Sequence, residues 1–270
     1  MVIYKHSRNL NKESIMKRYI VSLCFITLLI LPAMAYSIGL EAALGGWYCA
    51  PAGDIAYNAL YYHDVLNIKD NMGYDSGFQY HARAKIDLPA LPNVYLMATP
   101  MRWEEDGGSK STSFRFGGAN FDADTTFETI FTLNLYDIGL YYGVPFLELS
   151  TLGMLDVEFG LDARIIELRA EIDQPATGRE VSKSYLTCAP MIYLGAQVSP
   201  VDLFSIEAEG RGMAYSDNYF YSAIGRVKFF PFGPLYAAAG YRYETFKIEK
   251  GDIMVDVLFT GPFAEVGIEF

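Results

Sequence analysis

The chain has 270 residues, 51% hydrophobic, 15% aromatic and 20% charged, which is too apolar for a disordered or collagen-like protein. Its net charge of -11 argues against a nucleic-acid partner, because phosphate binding needs clustered Lys and Arg. The 21 Tyr and 18 Phe, set against 3 His and 3 Cys, suit aromatic strands better than Leu-rich helices.

The first segment reads as an address. Met16-Lys17-Arg18 is a short basic start, Tyr19 to Leu31 is an apolar run, and Ala33-Met34-Ala35 is a small-x-small cleavage site. The run is shorter than the roughly 20 residues of a membrane-spanning helix, so residues 16–35 are expected to be a secretory signal removed after Ala35. Residues 1–15 are expected to be an extension ahead of the true start, and residues 36–270 the mature domain. Removing the signal takes away more bases than acids and leaves a chain more acidic still. Cys24 lies inside the apolar run and does not follow the small residues of a lipid-attachment site.

Beyond Ala35 the pattern has period two. Leu155, Val157, Phe159, Leu161, Ala163 and Ile165 share one parity, with Asp156, Glu158, Gly160, Asp162 and Arg164 on the other. Phe78 to Leu88, Ile206 to Gly212, Ala223 to Phe229 and Ala237 to Glu244 repeat the alternation. Helical spacing explains none of these runs, whereas a strand with one oily and one wet face explains them all. Strands are expected near 38–49, 76–88, 93–104, 125–144, 154–170, 184–199, 203–215, 219–230, 235–249 and 253–270. Most exceed the roughly 5 to 6 residues of a globular strand and reach the roughly 9 to 11 that cross a bilayer at a tilt.

Connections on one side are short and proline-rich: Pro89 to Asn93, Pro145 to Gly153, Ser199 to Asp202 and Pro231 to Pro234. On the other they are longer: Ala50 to Asp75, Glu105 to Asp124 and Glu171 to Lys183, then brief turns near Ser216 and Gly251. No further apolar segment approaches the length of a membrane helix, so a membrane fold must be a closed barrel. The expected fold is all-β, a transmembrane antiparallel up-and-down β-barrel of ten strands, or eight if one hairpin belongs to a loop, with both termini in the periplasm. Ala264, Val266, Ile268 and terminal Phe270 share a face and resemble the carboxyl-terminal signal that such barrels present to their assembly machinery. Trp47, Tyr48, Trp103, Phe146, Phe204, Tyr219, Phe220, Phe229, Phe230 and Phe232, near strand ends, are expected to form interfacial girdles.

Leu44-Gly45-Gly46-Trp47-Tyr48, with Pro51-Ala52-Gly53-Asp54, Leu91-Pro92-Asn93-Val94-Tyr95-Leu96, Tyr136-Asp137, Leu140-Tyr141-Tyr142, Gly240-Tyr241-Arg242 and Gly261-Pro262-Phe263, resembles a family of small proteobacterial outer-membrane β-barrel proteins marked by a Gly-Gly pair. The resemblance implies fold and location, not a biochemical activity. Gly45 and Gly46 would relieve crowding where the first strand meets its neighbours.

Catalytic chemistry has little to draw on. Mature His is limited to His63, in the first long loop, and His81, expected in the lumen; neither sits in an H-x-S arrangement that would activate a serine. The chain is read as a non-enzyme without cofactor. Glu104-Glu105-Asp106 and Asp122 with Asp124 flank the second loop, but no EF-hand spacing is present, so they read as a hydrated acidic loop with no metal. Cys49 and Cys188 fall on distant strands and are expected as free thiols.

The inward parity should hold Glu41, Arg83, Lys85, Arg102, Glu128, Asp156, Glu158, Asp162, Arg164, Glu207, Glu209, Arg211, Arg226, Lys228, Arg242 and Glu244. Such a ladder either plugs a narrow barrel or lines a thin water path. The expected function is therefore a structural or narrow channel-forming barrel of a Gram-negative outer membrane. The alternative is a binding module acting through its long loops on a ligand, lipopolysaccharide or another cell. Expected partners are outer-membrane lipid and lipopolysaccharide, with the assembly machinery and periplasmic chaperones during biogenesis; a monomer is expected, with no nucleic acid.

Overall fold

The structure is a computed structural model that describes residues 38–270 apart from 90, 145 and 146. The expected extension, the signal with Ala33 and Ala35, Cys24 and the girdle residue Phe146 lie outside the described residues. Among the described residues thirteen strands follow in order: β1 (Gly39–Tyr57), β2 (Leu66–Asn67), β3 (Gly77–Asp87), β4 (Asn93–Gly108), β5 (Phe114–Phe116), β6 (Ala119–Phe121), β7 (Phe127–Gly143), β8 (Leu155–Gln174), β9 (Arg179–Val201), β10 (Phe204–Tyr215), β11 (Asn218–Phe232), β12 (Leu235–Lys250) and β13 (Ile253–Glu269). A one-turn helix α1 (Leu147–Ser150) sits in the connection before β8.

All except β2, β5 and β6 are staves of one wall, ordered β13-β12-β11-β10-β9-β8-β7-β4-β3-β1. β13 returns to β1, pairing from Glu41↔Glu269 to Tyr57↔Ile253, so the ten-strand antiparallel barrel closes. Closure leaves the wall without side edges at its base, where every backbone group must be satisfied if lipid surrounds it. The start of β1, the end of β13 and the short turns lie at one end, here the turn end; the other is the loop end. Among the described residues no helix is long and apolar enough to cross a membrane, so any crossing belongs to the strands.

The strands at the loop end run farther than the alternation predicts. β1 reaches Tyr57 and β4 reaches Gly108. The expected third loop, Glu171 to Lys183, is mostly ladder, paired from Glu171↔Ser182 to Gln174↔Arg179. The reason is visible on β8. Its even face carries buried Asp162 and Arg164 low down, then buried Ile166, Leu168, Ala170 and Ile172. Its odd face carries exposed Phe159 and Leu161, then Glu167, Arg169, Glu171 and Asp173. Parity is constant while its chemistry inverts: below the crossover the outside is oily and the inside charged, above it the outside is wet and the inside oily.

The crossover recurs on β12, where outward Ala239, Tyr241 and Tyr243 give way to Thr245, Lys247 and Glu249, and inward Arg242 and Glu244 give way to Phe246 and Ile248. It marks where the barrel leaves an apolar surrounding and enters water, and the upper staves then behave like a soluble β-protein. Two loops cap this upper core. The first, between β1 and β3, sends in Leu66, Ile68, Met72 and Tyr74; the second, the β5-β6 hairpin, sends in Phe114, Phe116 and Phe121, all buried. Asp64 ties the loops together, accepting from the backbone N–H of Leu60 at 2.8 Å, Tyr61 at 2.9 Å and Arg115 at 2.8 Å.

Candidate functional site

The lower interior is a continuous network of charges. Arg83 on β3 stands near its centre: Nη2 donates to Glu41 Oε1 at 2.5 Å, to Glu265 Oε1 at 2.9 Å and to the Tyr236 hydroxyl at 2.9 Å. Lys228 on β11 lies 2.7 Å from Glu41, 2.5 Å from Glu207 and 2.9 Å from Glu269. Arg226 bridges Glu207 and Glu209, each at 2.7 Å. Arg211 pairs with Glu209 at 2.9 Å, approaches Asp162 at 3.6 Å, and lies over the Tyr95 and Tyr193 rings at 4.3 and 4.9 Å. Buried charges are costly unless paired, and the partners here come from the same strand (Arg211 and Glu209), from an adjacent strand (Arg226 and Glu207, Arg164 and Asp137) and from across the lumen (Lys85 and Glu158, Arg164 and Glu244).

A second tier closes the network from above. Arg164 grips Asp137 with two bonds, Nε to Oδ1 at 2.6 Å and Nη2 to Oδ2 at 3.0 Å, and reaches Glu244 at 2.6 Å. Arg242 donates to Glu244 at 2.7 Å and to the Thr99 hydroxyl at 2.9 Å, while its guanidinium lies 4.6 Å from the Trp47 ring centre. Trp47 in turn donates from Nε1 to the Gly261 carbonyl at 3.2 Å. This guanidinium-on-indole contact is the seam between charged and oily interiors. Above it Phe131, Leu133, Leu135, Ile166, Phe246 and Phe259 belong to one buried cluster that continues into the capping loops.

The expected ladder divides. Arg83, Lys85, Asp162, Arg164, Glu207, Glu209, Arg211, Arg226, Lys228, Arg242 and Glu244 are buried inside. Asp156 and Glu158 face a cavity of about 230 Å³ at the turn end, lined also by Glu41, Lys85, Asp87, Gln197, Ser199, Glu269 and Phe270. Lys85 reaches Glu158 there at 3.0 Å. Arg102 is a correction: its side chain is 57% exposed on the outer face and pairs with Glu104 at 2.9 Å. Glu128 also lies outside. Both are charged because they stand above the crossover, where the wet face is the outer one.

The aromatic girdle needs the same correction. Trp47, Trp103 and Phe220 are buried within the barrel, whereas Tyr48, Phe204, Phe229 and Phe232 are exposed on its surface. Phe230 packs against Tyr236 inside the turn end. At the carboxyl terminus Val266 is 65% exposed and Phe270 70% exposed, with Ala264 and Ile268 on the same outward parity.

Seven contributors were not assigned to the interior from sequence: Asp137, Glu265, Glu269 and the inward phenols of Tyr95, Tyr141, Tyr193 and Tyr236. The signal was available, since Asp137 lies between outward Tyr136 and Ile138, and Glu265 between outward Ala264 and Val266. His81 pairs with Glu265 through Nε2 at 3.1 Å and meets Phe263 edge-on, not a serine. Gly45 makes its room: a Cβ there would stand 2.4 Å from His81 Cε1, while one at Gly46 would meet nothing within 4 Å. Cys49 in the interior and Cys188 on the outer surface are free thiols. Among the described residues no group of three or more His, Cys, Asp or Glu is placed to hold a metal ion.

Outside the barrel wall, three loop groups have shifted acidities, of which the Tyr74 phenol is pushed up by burial. Burial would raise Asp64, but the N–H groups of Tyr61, Leu60 and Arg115 outweigh it and hold its carboxyl below the usual range. Lys110, which donates to the Val65 carbonyl, is pushed down by burial despite Asp64 and Asp54 nearby.

No family model matches the chain, and no curated protein matches it in sequence. Among solved structures it is similar to the outer membrane protease OmpT from Escherichia coli, at 9% identity over 87% of this chain and 99% of that one, with a TM-score of 0.56. The translocator domain of the autotransporter NalP from Neisseria meningitidis aligns at 12% identity over 96% and 98% of the two chains, with a TM-score of 0.44. Ail of Yersinia pestis, solved with the heparin analogue sucrose octasulfate, aligns at 9% over 85% and 99%, with a TM-score of 0.39. At such identities the likeness is one of fold, and the fold is that of an outer-membrane β-barrel.

Proposed function

We propose that this chain is a sealed barrel of the Gram-negative outer membrane, turn end in the periplasm, whose work is done by the surface it presents at the loop end and not by passage of solute. The observation that carries this reading is the filled interior: paired charges occupy the lower half, an aromatic and aliphatic core the upper half, and two loops the mouth. Small barrels are filled by side chains, and open channels appear at about 16 strands. Purified protein in planar bilayers is expected to be electrically silent at all voltages; discrete, reproducible single-channel steps would overturn the proposal.

The protease title of OmpT does not carry over to this reading. A general acid or base must reach both solvent and substrate: His81 sits in the lower network with 4% exposure, and the exposed His63 stacks on Tyr61 and lies 3.7 Å from Asp64, whose carboxylate is already taken up by three backbone N–H groups. The resemblance to Gly-Gly-marked barrel proteins fits the sealed reading through Gly45, whose missing side chain admits the His81 ring.

A further inference from the structure

The barrel wall is uneven at the loop end. β9 pairs with β8 along its whole upper length, from Gln174↔Arg179 downward. On its other side the ladder to β10 stops at Gly212↔Ile192, because the β10-β11 hairpin turns back near Ser216. Above Ile192, therefore, no strand among the described residues pairs with the second side of β9. The opposite discontinuity, between β3 and β4 above Ala82↔Ala98, is filled: the Gln79 side chain accepts from Arg102 N at 3.2 Å and donates to its carbonyl at 3.3 Å. On the β9 side the β5-β6 hairpin touches the strand, with Arg179 donating to Asp122 at 2.6 Å, but among the described residues no side chain takes up the backbone groups of β9 that face the gap.

The direction of the free groups follows from parity. Ser199 N donates to Met154, on the β8 side, so odd residues of β9 point their backbone groups toward β8. Even residues, Glu180, Ser182, Ser184, Leu186 and Cys188, then point theirs at the gap. Pro190, also even, lacks the donor that its position would leave unpaired, as expected at an edge.

We propose that this edge of β9 is a docking site for an extended peptide segment of another protein, added as a further strand, with basic and apolar residues in alternation; the inference rests on the outward-working surface proposed above. Backbone pairing supplies the attachment, and the two faces supply the selection. On the outer face, Glu128, Asp173 and Glu180 stand level on three successive strands, Glu128↔Asp173 and Asp173↔Glu180. Like charges directly opposite repel, and none of the three has an ion-pair partner among the described residues. Lys or Arg on an added strand would sit beside this row. On the inner face, an apolar crevice of about 90 Å³ is lined by Ile55, Phe116, Leu168 and Tyr185, with Lys183 over the Tyr57 ring at 5.3 Å. It takes a branched aliphatic side chain.

A second copy is the other possible occupant, and geometry disfavours it. Two barrels in one membrane run β9 in the same direction, so two-fold pairing would set Arg179 level with Arg179 and Lys183 level with Lys183. A separate basic strand has no such conflict, and the net charge of -11 steers it inward.

The test uses the full barrel in detergent micelles and a labelled ten-residue peptide of alternating Lys and Val, with alternating Glu and Val as control. The Lys-Val peptide is expected to bind with salt-dependent affinity, and to protect the amides of Ser182, Ser184 and Leu186 from hydrogen exchange. Ser182→Pro and Ser184→Pro remove donors on the gap side only and should weaken binding at least tenfold while the barrel remains heat-modifiable. Asp173→Asn with Glu180→Gln should weaken it about threefold to tenfold and flatten the salt dependence. No binding, equal binding of the Glu-Val control, indifference to the proline variants, or a cross-link joining β9 to β9 of a second copy would each overturn the proposal. Conductance is read separately: a conducting barrel that captures the peptide overturns only the sealed reading, and a silent barrel that does not overturns only this one.

Discussion

The two halves of this barrel are built from the same strands and held by opposite means. Below the Arg242–Trp47 seam the interior is a lattice of carboxylates, guanidiniums, ammoniums and phenols; above it Phe131, Leu133, Phe246 and Phe259 pack as in a soluble core. The difference teaches that each half fills its interior with what its exterior is not. Where the outer face is apolar, polar groups collect inside and must pair there, and where the outer face is wetted, the oily side chains go inside.

The two halves should therefore respond differently to truncation. The largest effect is expected from Arg164→Ala, which leaves Asp137 and Glu244 without a shared cation and should cost about 3–5 kcal/mol. It would be read as a fall in the urea midpoint of heat-modifiable barrel. The same truncation at Arg102, on the outside, should cost at most about 0.5 kcal/mol, since exposed pairs contribute little. Equal losses at the two positions would dissolve the distinction between network and surface.

Leu133→Ala, in the upper half, should cost about 3 kcal/mol through lost burial and a cavity. Unlike the loss at Arg164, it should not leave uncompensated charge in the interior, so Arg164→Lys, which keeps a cation beside Asp137 and Glu244, should recover part of the Arg164 deficit while no polar replacement rescues Leu133. The smallest effect concerns the cap. Asp64→Asn should cost about 1 kcal/mol, seen as faster amide exchange at Leu60, Tyr61 and Arg115 and not as a loss of the barrel.

The pH dependence of that cap has a definite sign. Because the carboxyl of Asp64 is held below its unfolded value, its contribution is fully present above the ordinary Asp range and is lost as pH falls through the lower, folded value. Amide exchange at the three donors should therefore stay slow from neutral pH down to roughly pH 4, once corrected for intrinsic rates, and rise below it. A rise already at pH 6 would assign the cap to another group.

Strand existence and the inward set at the turn end were legible in the sequence, because period-two alternation with charges on one parity has a single strand interpretation. Arg83, Arg164 and Glu207 could be assigned inward from their neighbours alone. Arg102 and Trp103 could not, since a polar outward residue above a lipid belt and a polar inward residue within it leave the same local pattern. The inversion shows only when a strand is followed past the crossover, as on β8 from Leu161 to Glu171, and the parity held while the meaning of each face changed.

By itself, then, the sequence determined the architecture: long alternating strands, short turns at one end and an outward parity carried to Phe270, because strand periodicity is a local property of the backbone. Only the tertiary structure decided that the inward charges are buried and paired, that Glu265 and Asp137 belong to the network, and that among the described residues β9 lacks a strand partner on its second side above Ile192. Those depend on which strands face each other across the lumen and how high each hairpin rises, and both are set by register between distant segments.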